Sequence, residues 1–261
     1  MEDRELPENY KPSGAESVNP YDSTRRKGEQ VEEMFDTIAS AYDKMNTAMT
    51  LGLDRGWRDR ALDMAAKEYG AGGPREILDL ATGTGEVAFE LYARYPEARI
   101  TGLDLSEGML AIARKKLSEM DEEARRHLEF RKGDALAIDA PDNTFDLVTV
   151  AYGVRNFERL DEGYREIYRV LRPGGTLCVI ELSVPEGKLT GGLYKLYTRT
   201  LIPLVGKLAS GDSRAYSYLP ESIAAAPQRR DMALKMAAAG FRRCRWKSLT
   251  FGAVTFYLAT K

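Results

Sequence analysis

Residues 77–91 read ILDLATGTGEVAFEL, and the change of character inside this stretch decides the fold. Glu76 to Ala81 is a short apolar run of the length of a buried strand, and Glu86 to Arg94 carries apolar residues at helical spacing. Between them, Gly83 and Gly85 let the backbone turn tightly and lie close to a ligand at the carboxyl edge of a sheet, where open α/β folds bind cofactors.

Outward from this unit the alternation continues. Strands are predicted at Ala98 to Asp104, Leu128 to Arg131, Phe145 to Ala151 and Thr176 to Leu182. Helices are predicted at Glu107 to Met120 and at Leu160 to Leu171, the latter stopped by RPGG. Strands alternating with helices mean a parallel sheet covered on both faces. After a helix near Gln228 to Ala239, the runs Phe241 to Leu249 and Ala253 to Ala259 are separated only by Thr250 to Gly252, so they form an antiparallel pair. The fold class is therefore α/β, with seven candidate strands in a mostly parallel sheet.

Upstream, residues 1–28 contain prolines, serines and charges without apolar periodicity and read as a flexible tail. Val31, Met34, Phe35, Ile38, Tyr42 and Met45 then mark one face of a helix, and a second helix spans Asp54 to Tyr69. Residues 29–70 are thus expected to form a helical lid on a catalytic domain spanning 29–261. Residues 188–223 break the rhythm, carrying aromatic and aliphatic residues without a strand, and read as an insertion on the substrate side.

A chain of 261 residues with 43% hydrophobic content holds one substantial core. A formal net charge of -2, with basic residues spread along the chain, argues against nucleic acid as a partner. Cys178 and Cys244 lie far apart without CxxC spacing and read as free thiols in a reducing cytosol. The single histidine, His127, sits in a charged stretch, so neither a His-based metal site nor a Ser-His-Asp triad is expected. The polar N-terminus and the lack of a long apolar run place the protein in the cytoplasm. Peripheral contact with the inner face of the membrane and a homodimer stay open.

The candidate site residues cluster at strand ends. Asp104 closes the strand after the glycine loop, about 20 residues on, where a carboxylate accepts hydrogen bonds from ribose hydroxyls. Gly83, Gly85 and Ala88 also satisfy G-x-G-x-x-A, so a dinucleotide enzyme is a competing reading. Glu86 opens the helix where a pyrophosphate would seek the positive helix end, and it favours S-adenosylmethionine, which has no phosphate and carries a sulfonium cation. Asp79 points to the same edge; it either faces the ligand or holds the amides of the loop. Asp134 and Ala135, after Gly133 and the third strand, suit an adenine, and equally a solvated turn. Tyr152, Arg155 and Asn156 come directly after the fourth strand, where the cleft opens, and are the substrate-side candidates, with a structural salt bridge as the competing role for Arg155.

At these residues the chain resembles the ubiquinone/menaquinone biosynthesis C-methyltransferase family. The resemblance covers about 31–261 and is carried by VEEMFDTIASAYDKMN, DLATGTGEVAFEL, GLDLSEGMLAIARKK, FDLVTVAYGVRNF, YRVLRPGGTLCVIELSVP and LIPLVGKLASGDSRAYSYLPESI. The glycine loop and RPGG occur across class I methyltransferases, whereas YGVRNF, MFDTIASAYDKMN and YSYLPESI are more specific. The resemblance implies a Rossmann-like class I S-adenosylmethionine-dependent fold and cofactor contact at Thr84, Asp104, Asp134 and Ala135. Ala151 stands where some relatives have serine and is left out of the site. The implied reaction is methylation of a prenylated quinol ring. Demethylmenaquinol is favoured over a ubiquinone precursor or another small aromatic, because the ending FGAVTFYLATK departs from the proteobacterial form. Such chemistry would use Arg155 to stabilise a phenolate, Asn156 to orient the hydroxyl or a water, and a water relayed through a carboxylate or Tyr152 as base. The segment LYKLYTRTLIPLVGKL suits a prenyl tail or a membrane surface, or ordinary core packing.

Overall fold

The computed structural model describes residues 14–22, 24–70, 72–187, 190–192, 194, 200 and 213–261. Seven strands form one sheet: β1 (Glu76–Leu80), β2 (Arg99–Asp104), β3 (Leu128–Lys132), β4 (Phe145–Ala151), β5 (Leu171–Leu182), β6 (Arg242–Leu249) and β7 (Val254–Thr260). Their order is β3-β2-β1-β4-β5-β7-β6. The first five run parallel, and β7 pairs antiparallel with both β5 and β6.

The described helices are α1 (Lys27–Ile38), α2 (Tyr42–Thr50), α3 (Leu53–Ala66), α4 (Glu86–Arg94), α5 (Glu107–Ser118), α6 (Glu122–His127), α7 (Leu160–Val170), α8 (Ser213–Ala225) and α9 (Arg230–Ala238). A strand sends successive side chains to opposite faces, and β1 shows the result. Ile77 packs with Leu62, Leu91 and Leu110 on one face, and Leu78 packs with Tyr164, Ile167 and Met236 on the other. An apolar run buried on both faces is what a central parallel strand requires. Because the chain leaves β1 for β2 on one side and later returns to β4 on the other, a crevice opens at the carboxyl ends of β1 and β4.

The structure departs from the sequence expectation in three places. The single helix expected over Val31 to Met45 is broken into α1 and α2 by a 3-10 turn at Ala39–Ala41. The tail expected over 1–28 is part of the fold from Gly14 onward. Gly14–Ser17 forms a short 3-10 turn with Ala15 buried, and Glu16 accepts from the Leu160 amide at the head of α7 at 2.8 Å. Gln30, fully buried, accepts from the amides of Tyr21 and Asp22 and donates to the carbonyls of Asp22 and Arg25. Polar anchoring of this kind leaves no apolar period for a sequence pattern to reveal. In addition β5 starts at Leu171 rather than Thr176: Phe145 pairs with Leu171 before the register shifts to Leu147 with Thr176. Within the expected insertion, 213–225 is helical. The stretch LYKLYTRTLIPLVGKL lies outside the described residues apart from Tyr194 and Thr200. No described helix is long and apolar enough to cross a membrane.

Candidate active site at the carboxyl edge of the sheet

The loop after β1 reverses the chain from the sheet edge into α4, and it does so with three left-handed residues, Ala81, Gly83 and Gly85. The amide of Thr82 donates to the Leu103 carbonyl at 3.0 Å, and that of Gly85 to Thr82 at 2.9 Å. A Cβ on Gly83 would meet nothing, so its backbone faces open space. A Cβ on Gly85 would meet Phe89 and Phe130 below 3.0 Å, and Gly85 lines neither of the two cavities at this edge. Gly85 is thus required by packing at the turn.

The smaller of these adjoining cavities, about 170 Å³, is lined by Gly83, Asp104, Ser106, Gly133, Asp134 and Ala135. Asp104 accepts from the Gly83 amide at 2.8 Å with one oxygen and from the Ser106 amide at 2.9 Å with the other. Burial pushes its carboxyl up to about 6 against the opposing pull of those amides. Asp134 accepts from the Leu136 amide at 2.9 Å, which fixes the turn after β3.

The larger cavity, about 470 Å³, is walled by apolar side chains from separate elements, among them Met34, Met45, Met49, Leu182, Ile223 and Phe251. Phe35, Tyr42, Ala81, Gly83, Ala151 and Tyr152 line both. Ala151, left out of the expected site for want of a hydroxyl, thus belongs to the wall between the two; a methyl group there leaves room that a larger side chain would take. Asp79 lines the larger cavity, but both its oxygens accept hydroxyl hydrogen bonds, from Thr82 at 2.6 Å and Thr149 at 2.6 Å. Burial raises its carboxyl to about 7.

Lys116 donates to Glu86 at 2.7 Å, to Asp43 at 2.8 Å and to the Thr84 carbonyl at 3.2 Å, and Arg58 lies 3.5 Å from the second Glu86 oxygen. Both cations are shared with other carboxylates, Lys116 with Asp43 and Arg58 with Asp54 and Glu90, so the head of α4 stays acidic and unsuited to a phosphate. Thr84 donates to Asp43 at 2.6 Å, which ties α2 to the glycine loop. Asp43 and Lys116 were absent from the expected site because they come from α2 and α5. The Asp in the AYDKMN stretch was the only sequence signal.

On the far side, Tyr152 leaves β4 with a left-handed backbone, φ 58. Its hydroxyl is buried and finds no hydrogen-bond partner among the described residues, and burial raises its pKa. Arg155 lies in the 3-10 turn Val154–Asn156. It forms the salt bridge that the sequence left open as its competing role: its Nη1 meets Glu181 at 2.8 Å and also donates to the Tyr152 carbonyl, and its amide donates to Glu181 at 3.3 Å. Both partners are buried; Arg155 Nε is buried without a partner among the described residues. Arg155 lines the larger cavity, whereas Asn156 lines the smaller one. Asn156 accepts from the Tyr218 hydroxyl at 3.0 Å. Glu181 was missed, although a lone carboxylate in TLCVIEL was visible.

A seven-stranded sheet with this order, its last pair antiparallel and its cavities at the ends of β1 and β4, has the class I methyltransferase fold. The chain superposes with a TM-score of 0.59 on the crystal structure of an S-adenosylmethionine-dependent methyltransferase of Thermotoga maritima, described as a possible histamine N-methyltransferase, at 20% identity over 88% of this chain and 99% of that one. The sequence profile of the ubiE/COQ5 methyltransferase family matches residues 23–261. A demethylmenaquinone methyltransferase of Bacteroides fragilis is 41% identical over 246 residues, covering 94% of this chain and 98% of the relative. One from Deinococcus radiodurans is 43% identical over 247 residues, covering 95% and 99%. The chain belongs to the ubiE/COQ5 methyltransferase family.

Proposed function

We propose that the protein transfers a methyl group from S-adenosylmethionine to the ring carbon of demethylmenaquinol, giving menaquinol. The observation that carries the reading is the contiguity of two unlike cavities, one small with acidic groups at strand ends and one large and apolar, sharing Gly83, Ala151 and Tyr152 as their wall. Family membership and relatives that bear the demethylmenaquinone methyltransferase name support it.

The smaller cavity suits the nucleoside end. Asp104 holds each oxygen with one amide and keeps lone pairs for ribose hydroxyls, and Asp134 with Ala135 offers an acceptor and an amide to an adenine. Gly83 admits close approach of the ligand to the backbone. When bound, S-adenosylmethionine supplies a methyl group on a sulfonium cation. Asp79 gives the wall of the larger cavity an acidic group compatible with positive charge.

Residues 29–70 act as the lid: Phe35 and Tyr42 cover both cavities, and the Thr84–Asp43 hydrogen bond closes α2 onto the loop, excluding water. The acceptor ring becomes nucleophilic when its hydroxyl loses a proton. Tyr152, held neutral by burial and free to donate, and the positive edge of Arg155 would stabilise the resulting phenolate. As the ring carbon bonds the methyl group, the methyl–sulfur bond of the donor would break to leave S-adenosylhomocysteine, and the ring would shed its C–H proton and regain the hydroxyl proton, a net release of one proton to solvent. Asn156, through Tyr218, holds the turn that presents them.

The prenyl tail leaves past Leu51 and Phe251, which line the larger cavity yet are 76% and 83% exposed. In a cytoplasmic protein the same rim suits peripheral contact with the inner face of the membrane, where such a substrate resides. Incubation with methyl-labelled S-adenosylmethionine and reduced demethylmenaquinone tests the proposal. Label is expected in menaquinone, with the oxidised quinone left unreacted; an unlabelled product from the quinol overturns it.

A further inference from the structure

Lys27 is the first residue of α1, and its side chain is buried at 3% exposure. A cation at the positive end of a helix is unfavourable, and burying an ammonium is costlier still unless its protons are taken. Neither helix formation nor packing accounts for lysine here, since an apolar residue of similar length would satisfy both. The side chain instead ends on two backbone carbonyls. Nζ donates to Ala15 at 2.6 Å and to Arg155 at 3.0 Å, and it stands 5.9 Å from the centroid of the Tyr218 ring. Burial lowers its pKa to about 8, and the carboxylates of Glu16 and Glu158 oppose that shift.

The two carbonyls belong to segments far apart in the sequence. Ala15 lies in the N-terminal 3-10 turn, whose Gly14 sits so close to α8 that a Cβ would stand 2.8 Å from the Ala225 carbonyl. Arg155 lies in the turn after β4, where Glu181 already takes its amide and its guanidinium. Lys27 supplies the third hold, on the carbonyl. Tyr218, under the same ammonium, donates to Asn156 in that turn.

We propose that Lys27 is a positioning residue that sets the Tyr152–Asn156 turn by clamping it to the N-terminal segment, so that docking of residues 14–22 and ordering of the acceptor side are one event. The inference rests on the assignment of Tyr152 and Arg155 to the acceptor in the proposed reaction.

Its test has one arm that does not depend on that assignment. In the full-length protein with S-adenosylmethionine bound, hydrogen exchange compares wild type with Lys27→Met. Amides in 14–18 and 153–157 are expected to exchange about tenfold faster, while those of the glycine loop and of β1 stay within about twofold. Uniformly faster exchange across the sheet marks a general loss of stability and overturns the proposal, as does unchanged exchange at 153–157. In the second arm, Lys27→Met lowers kcat on demethylmenaquinol about tenfold, with the Kd for S-adenosylmethionine within about twofold, because a small misplacement of the reacting geometry costs turnover first. Gly14→Val, which undocks the same turn, combines with Lys27→Met less than additively in kcat. Full additivity, or kcat and Kd falling in step, overturns the clamp. Absence of turnover in the wild type sinks the proposed reaction and leaves the exchange result to decide the role of Lys27.

Discussion

The two cavities are built on different principles. The smaller one, the proposed nucleoside side, is floored by turns at the ends of three neighbouring strands, with Gly83, Asp104 and Asp134 each fixed by amide hydrogen bonds within a few residues of a strand end, and roofed by Val31, Phe35 and Tyr42. The acceptor side is made of side chains from elements that only tertiary packing brings together: α1, α2, α8, the turn after β4 and the turn between β6 and β7. Rigid backbone suits a ligand that never changes. A wall of separately mounted side chains suits one whose shape is set by the substrate.

The contrast breaks most sharply at Arg155. Arg155→Ala should lower turnover about a hundredfold, the size of losing one preorganised charge-stabilising donor, while the Kd for S-adenosylmethionine changes less than about threefold. Equal losses in both would mean that the two sides are not separable. Removing either partner of the buried pair leaves the other charge unpaired, so a fall in melting temperature should accompany both Arg155→Ala and Glu181→Gln, and turnover is compared at a temperature where each variant stays folded.

Asp104→Ala is the mirror experiment. Loss of a charged acceptor of about 1.5–3 kcal/mol should weaken S-adenosylmethionine roughly ten- to a hundredfold by calorimetry, with acceptor KM unaffected at saturating cofactor. The same carboxyl gives the nucleoside side its own pH signature. With its pKa pushed up to about 6 by burial, it is an anion above that pH and accepts from ribose. Below it, a proton blocks one oxygen and affinity falls, approaching about tenfold per pH unit in wild type. Asp104→Asn should flatten that dependence; an unchanged slope would move it to another group.

The smallest effect is expected at the rim. Phe251→Ser should raise KM about three- to tenfold for a long-chain quinol, the scale of a few lost methylene contacts, and leave a short-chain analogue unchanged. Equal KM values for both substrates would show that the tail takes another route.

The same contrast explains how far the sequence could be read. The nucleoside side is local, so the strand–GTG–helix unit, Asp104 and Asp134 were legible from periodicity and spacing. At Gly85 the sequence could not separate a glycine required by Phe89 and Phe130 from one required by a ligand, because the two look the same. On the acceptor side, Tyr152 and Arg155 could be placed at a strand end. The pairing of Arg155 with Glu181, the bond from Thr84 to Asp43 and the burial of Lys27 could not, because each joins positions far apart in the chain. Residues 14–22 were read as tail for a related reason: much of their attachment runs through carbonyls and amides, and the side chains that add to it, Glu16, Val18 and Tyr21, are too sparse to form a period.

Tyr42, Ala81, Ala151 and Tyr152 are the partition of both chambers at once. Filling either chamber therefore presses on the surface that shapes the other, and thermodynamic reciprocity makes the influence mutual. Whatever factor the quinol contributes to retention of the methyl donor, the donor returns to the quinol.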